Sequence, residues 1–206
     1  MPLPSKERFR CEILSWSRVI RDTKKLSKNI KDSGYEPDII IAIGRGGYVP
    51  ARILCDYLLI RDLTSIKVEH WGIAATETER AVIKFPLCTY IKGKKVLLVD
   101  DITDTGDTLM ISLEYLKTFE PEDIKTAVLI HKTCSAIIPD YFVSRVTKWR
   151  WIIFPWHIYE DLTGFIKRIK DMGIHSEVDI TRELRERYNI VMNMDVIKGL
   201  LLEPEQ

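Results

Sequence analysis

The densest group of reactive side chains lies in Val96-Leu-Leu-Val-Asp-Asp-Ile-Thr-Asp-Thr-Gly-Asp-Thr108. Asp100, Asp101, Asp104 and Asp107 fall within eight positions, interleaved with Thr103, Thr105 and Thr108 around Gly106. Two adjacent carboxylates at the edge of an apolar strand repel each other unless a cation or sugar hydroxyls lie between them. Small hydroxyl residues around a glycine that opens a helix supply N–H and O–H donors, a cradle for phosphate. An ordinary turn with a cap needs one such acid, not four. A second segment, Gly44-Arg45-Gly46-Gly47, also follows an apolar run. Alone, such a turn mostly signals positive φ, but Arg45 adds a fork able to grip phosphate through two N–H groups.

Both segments need strands to carry them. Asp38–Ile43 and Lys95–Asp100 are continuous, largely β-branched or aliphatic runs, which suits strands covered on both faces. Ser65–His70, Ile124–His131, Tyr141–Val146 and Trp151–Phe154 read as further strands, and Asp101–Gly106 as a turn. Helical spacing marks Trp16–Ile30, with Ser15 as cap and Gly34 as stop, then Ile53–Leu58 after Pro50, and Leu109–Leu116. Strands alternating with helices predict an α/β fold with an open, doubly wound parallel sheet. Ligands in such sheets bind beyond the carboxyl ends of the strands, where both segments fall. After Glu160 only helical stripes remain (Phe165, Ile166, Ile169; Ile180, Leu184, with Glu183 placed to support Arg187). The expected division is a domain over 1–160, including a small hood, and a helical extension over 161–206.

The acidic stretch resembles the phosphoribosyl-pyrophosphate (PRPP) binding motif of type I phosphoribosyltransferases. That resemblance spans about Leu14 to Trp156 and implies the family's open sheet. It implies that Asp100 and Asp101 hold the ribose hydroxyls directly or through Mg²⁺, and that Asp104 is the acid/base near the purine ring nitrogen. Thr103, Thr105, Gly106, Asp107 and Thr108 would surround the 5′-phosphate. Asp107 departs from the small or basic residue usual there, so its carboxylate is expected to face solvent or cap the helix. The glycine segment resembles the family's pyrophosphate loop, which assigns Arg45 and Gly46 to the leaving diphosphate. Trp71–Arg80 takes the place of the family's mobile loop, from which Arg80 and Lys84 would reach pyrophosphate; their other reading is as exposed strand charges.

Lys132, after Ala127-Val-Leu-Ile-His131, and Trp151-Ile152 resemble the base site of 6-oxopurine phosphoribosyltransferases of the xanthine-guanine and hypoxanthine-guanine kind. A cationic donor rewards a carbonyl oxygen and penalises adenine's amino group, and an indole face holds a planar ring. Trp149, Trp156 and Phe154 read instead as buried aromatics. His157 stands where the family tends to have an acid, which Glu160 or Asp161 could replace only through a backbone shift; His70, His131 and His175 read as structural.

The 206 residues carry 31 Lys+Arg against 30 Asp+Glu, a formal charge of +1, which gives no support to a broad nucleic-acid footprint. Cys11, Cys55, Cys88 and Cys134 form no metal-spaced pair, and no apolar run is long enough to span a bilayer. A cytoplasmic enzyme with Mg²⁺ as cofactor, PRPP and a purine base as substrates, no membrane association and a homodimeric or larger assembly is the expectation. Two rivals stand beside it: a PRPP-binding regulator, and a transferase for a pyrimidine or another base.

Overall fold

A computed structural model describes residues 8–71 and 80–201. The chain forms two compact units, Ser17–Trp149 on the one hand and Met1–Trp16 with Arg150–Gln206 on the other.

The larger unit is built on a six-stranded sheet of order β4-β3-β2-β5-β6-β7. Its strands are β2 (Ile39–Gly44), β3 (Leu63–Trp71), β4 (Arg80–Phe85), β5 (Lys95–Thr103), β6 (Asp123–Lys132) and β7 (Tyr141–Val146). All neighbours run parallel except the β3–β4 hairpin at one edge. The continuous apolar runs explain the two central strands. Ile39, Ile41, Ile43, Val96 and Leu98 join one core cluster with Leu109 and Leu116, while Ile40, Ala42, Leu97 and Val99, alternating with them, are equally buried. Apolar cover on both faces is what a crossover sheet requires. α1 (Trp16–Asp32) begins directly after Ser15, and α2 (Tyr48–Leu58) carries Pro50 in its first turn. α3 (Asp107–Lys117) starts immediately after Gly106. The expected doubly wound sheet is present, with two differences. β4 is an antiparallel edge strand, and β5 continues through Thr103, so Asp101 and Ile102 are strand residues rather than part of a turn.

In the smaller unit, β1 (Cys11–Ile13) pairs in parallel with β8 (Trp151–Ile153), and α4 (Ile158–Asp171), α5 (Glu177–Tyr188) and α6 (Met194–Leu201) follow. Phe9, Cys11, Trp151, Phe165, Ile169 and Tyr188 are buried in one cluster. The Phe165 and Tyr188 rings stack at 4.6 Å, and Phe9 sits 4.9 Å from Tyr188. Ser176 caps α5 by accepting from the Asp179 N–H at 3.2 Å, and Arg187 pairs with Glu183 one turn earlier. Packing therefore draws a boundary other than the one expected near residue 160. The last helices bury their stripes with the amino-terminal strand and β8. The four cysteines are all free thiols. Among the described residues no helix is long and apolar enough to cross a membrane.

Candidate active site

The strand order reverses between β2 and β5: β2 leads outward to β3, and β5 leads the other way to β6. Ligand sites in open α/β sheets form at such a point, beyond the carboxyl ends of the strands. The two segments singled out in the sequence occupy it. The first runs from Gly44 to Gly47 and leads into α2, with the Gly44–Arg45 peptide cis. A Cβ on Gly47 would stand 2.3 Å from the Val99 carbonyl oxygen. A Cβ on Gly46 would stand 2.5–2.6 Å from all three atoms of the Asp101 carboxylate. Only glycine lets this loop lie against the end of β5. Arg45 is exposed beside them.

The second segment closes β5. Asp101 is 5% exposed, and its N–H donates to Asp100 Oδ1 at 2.9 Å. Burial, and then the neighbouring Asp101 charge, push the Asp100 carboxyl well above the usual carboxylate range. Two acids so placed favour a divalent cation between them and substrate. Among the described residues no group of three or more ligating side chains gathers. Mg²⁺ suits one or two carboxylates supplemented by water and substrate phosphates, so the donor set fits it.

Beyond β5, Gly106 (φ 97°) turns the chain into α3; a Cβ there would meet Ser135 Oγ at 2.7 Å. The loop after β6 buttresses this turn, because the Ala136 N–H donates to the Thr105 carbonyl at 2.8 Å. Thr105 Oγ1 donates to Asp107 Oδ2 at 2.8 Å, so the unusual acid engages a hydroxyl assigned to the phosphate rather than standing clear of it. Thr103 also differs from expectation. It is 3% exposed and its hydroxyl is hydrogen-bonded to His131 Nδ1 at 3.1 Å, inside the sheet. That leaves the loop's exposed Thr105 and half-buried Thr108 as hydroxyls near the surface. His131 itself is buried, which lowers its pKa, with Arg145 adding to the effect.

At the adjoining end of β6, Lys132 Nζ lies 2.5 Å from Asp104 Oδ2; the two side chains are 3% and 10% exposed. The register Thr103↔His131 places the next residue of each strand side by side. The Cys134 thiol reaches the Asp104 carbonyl at 3.5 Å and Oδ1 at 3.6 Å, and burial and then Asp104 raise its pKa. Cys134 is a neighbour of Asp104 that no motif announced.

The two tryptophans differ from expectation in their burial. Trp151 is 7% exposed, with its ring tilted against Phe9 at 6.5 Å, and Ile152 is 8% exposed. The buried indole N–H makes no well-formed hydrogen bond, although it faces Asp161. Trp151 is thus a core residue, not an open platform, because β1 and the carboxyl-terminal helices cover it. Trp149, expected to be buried, is 38% exposed, and the Lys132 ammonium lies 4.8 Å from its ring centre. Of the proposed substitutes for the missing acid, Glu160 lies 3.6 Å from His157 Nδ1. Asp161 is pushed up to about 6, first by burial.

Lys84 is exposed and pairs with Glu69 Oε2 at 2.8 Å; Lys67 holds the other oxygen, also at 2.8 Å. For Lys84 the strand-charge reading is the one this pairing favours. Arg80 opens β4 opposite Trp71, and residues 72–79, which carry most of the supposed mobile loop, lie outside the described residues.

A reversed strand order with an arginine-glycine loop on one strand and an acid-threonine loop on the next defines a class. The chain belongs to the phosphoribosyl transferase domain family, which matches residues 11–161. Among curated proteins it is 32% identical to the xanthine-guanine phosphoribosyltransferase of Ruegeria sp. over 164 residues, covering 75% of this chain and 88% of that one. The enzyme of the same name from Cereibacter sphaeroides is also 32% identical, covering 75% and 89%. Among solved structures, a purine phosphoribosyltransferase from Pyrococcus horikoshii is 37% identical with a TM-score of 0.63, covering 71% of this chain and 93% of that one. A Neisseria gonorrhoeae protein of unassigned function, solved with bound ppGpp, is 26% identical with a TM-score of 0.66, covering 82% and 100%.

Proposed function

We propose that this protein transfers ribose 5-phosphate from PRPP to N9 of a 6-oxopurine (guanine, hypoxanthine or xanthine), releasing pyrophosphate and the nucleoside monophosphate. The observation that carries this reading is the Lys132–Asp104 pair, set at the carboxyl ends of two neighbouring strands and beside the acid-threonine turn. The bond from the anomeric carbon to pyrophosphate breaks as the bond to N9 forms, through a state of oxocarbenium character. The protein's work is therefore to position the partners and to stabilise departing charge. Thr105, Gly106 and Thr108 hold the 5′-phosphate at the start of α3. Arg45 and the backbone around Gly46 receive the diphosphate. Lys132 donates to the exocyclic oxygen of the base, and Asp104 handles the proton at the ring nitrogen. Asp100 and Asp101 are the residues that would hold Mg²⁺, which when bound neutralises charge on PRPP and on the leaving group. The names of three of these relatives and the family match support the purine assignment. A homodimeric or larger assembly belongs to the same reading through its family.

The test is a panel of guanine, hypoxanthine, xanthine, adenine, orotate and uracil with PRPP and Mg²⁺, following pyrophosphate release. Turnover confined to the three oxopurines is expected, and D104A should lose turnover more than PRPP binding. Turnover with orotate or uracil and none with the oxopurines overturns the reading. A second reading, a nucleotide-responsive regulator on the same loops, is favoured by the ppGpp-bound relative. PRPP binding with no turnover on any base would select it.

A further inference from the structure

We propose that the exposed face of α1 carries a second anion site, apart from the transfer site, which takes a nucleoside polyphosphate whichever base the protein uses. The helix keeps Arg21, Lys24, Lys25, Lys28 and Lys31 on the surface, while Val19, Leu26 and Ile30 are buried. Arg21, Lys24, Lys28 and Lys31 follow one another at helical steps, which draws a single stripe about 15 Å long. Together with Tyr57 of α2, these five cations line a cavity of about 510 Å³. That lies within the roughly 300–1,000 Å³ of small-ligand sites. Neither Gly44–Gly47 nor Asp100–Thr108 contributes to its walls.

A merely solvated face does not account for the stripe. Like charges three or four positions apart on a helix repel, and Arg21–Lys24, Arg21–Lys25, Lys24–Lys28, Lys25–Lys28 and Lys28–Lys31 are all such pairs. The chain as a whole is close to neutral, so the charge is concentrated locally. Asp22 pairs with Arg18 and Arg21, and Asp32 with Lys28. Among the described residues, Lys24, Lys25 and Lys31 have no ion-pair partner. The carbonyl end of the helix accounts for Lys31 in the last turn, but not for Lys24 and Lys25 in the middle. An anion laid along the stripe turns this repulsion into attraction. The cavity holds five cations against one carboxylate, Asp32, an excess that a triphosphate chain matches in size and opposes in sign. Bare phosphate leaves part of the cavity unused, because the Tyr57 ring and the lysine methylenes form an apolar wall suited to a base. A bounded cavity also fits one nucleotide better than a nucleic-acid strand.

The test is calorimetric titration of the full chain with metal-free ATP, GTP and tripolyphosphate at low salt. The triple variant K24Q/K25Q/K31Q should bind both nucleotides about tenfold or more weakly, the combined scale of three exposed charge contacts. Its affinity for PRPP with Mg²⁺ should stay within about twofold, which also shows that it is folded. R45A, altered in the diphosphate loop, should keep its nucleotide affinity within about twofold of wild type. Y57L should lose about fivefold or more for ATP and GTP, the scale of one base–aromatic stack, and little for tripolyphosphate. Added salt should weaken all three ligands. Unchanged nucleotide binding in the triple variant, or binding abolished by R45A instead, overturns the proposal by moving the nucleotide to the transfer site. A wild-type protein that binds neither nucleotide overturns it outright. A short single-stranded RNA that displaces ATP from the wild type, and binds the triple variant far more weakly, assigns the stripe to nucleic acid instead. None of these outcomes touches the purine reading.

Discussion

Replacing Gly46 by Ala tests whether the glycine loop and the acid pair form one device. The new methyl would start 2.5 Å from Asp101 Oδ2 and 2.6 Å from Cγ and Oδ1. Ordinary contact begins at about 3.4 Å, so the loop and the carboxylate must part by about 0.9 Å. Asp101 is 5% exposed and sits inside a strand, so it has little space to yield. Overpacking of this kind costs about 1–3 kcal/mol, which in a chain of this length lowers the melting temperature by about 2–12 °C. The functional loss should be the larger. A displacement of about 1 Å in a group that positions substrate can cost on the order of 100-fold, and Asp101 is assigned to the ribose. Calorimetric titration with PRPP and Mg²⁺, and kcat/KM for guanine, read this out, with scanning fluorimetry for stability. G199A is the control, since a Cβ at Gly199 meets nothing within 4 Å. A G46A protein with PRPP affinity within about twofold of wild type and an unmoved melting temperature would refute the reasoning.

K132M should destabilise the protein by about 3–5 kcal/mol in urea, because it strands the Asp104 carboxylate, and K132M/D104L should regain most of it; a double variant no more stable than the single one contradicts this. D107S should lower KM for PRPP about fivefold in initial-rate assays by removing a charge from the phosphate turn and releasing the Thr105 hydroxyl. An unchanged or higher KM would show that Asp107 does not oppose the phosphate. Asp161, pushed up to about 6 from an ordinary 3.8, binds its proton more tightly folded than unfolded. The native state therefore loses stability as pH rises between those values, by about 1–2 kcal/mol after allowance for solvent at this half-buried site. D161N should be flatter than wild type across pH 4–7 and more stable at pH 7 in chemical denaturation. Parallel curves for the two proteins would remove Asp161 as the cause.

The central sheet could be read from the chain because its runs are local and unambiguous. Five apolar residues at 39–43 and four at 96–99 have no use except as strands covered twice. The acid-threonine turn was legible for the complementary reason: clustered carboxylates have few explanations other than a ligand. The extent of β5 beyond Asp100 was not legible, because Asp101 is a turn-former by type and is held in the strand by the pairing of Asp100 with Val128 and of Ile102 with Ile130. β4 escaped because Arg80, Lys84 and the edge position give it no apolar alternation on both sides. Trp149 and Trp151 could not be told apart by spacing, since they stand two apart and only Trp151 belongs to a strand. The grouping of the first strand with the last helices was not legible either. The pairing Cys11↔Trp151 joins positions far apart in the chain, and no local pattern announces it.

That pairing sets the order of assembly on the ribosome. Every strand of the larger unit is complete in the chain by Val146, whereas β1 finds its partner only in β8 and its cover only in the helices that run to Leu201. Phe9 and Cys11 must wait, apolar and uncovered, through most of translation. A chain cut after residue 149 would carry every strand of the larger sheet and yet leave Phe9 and Cys11 without the residues that bury them.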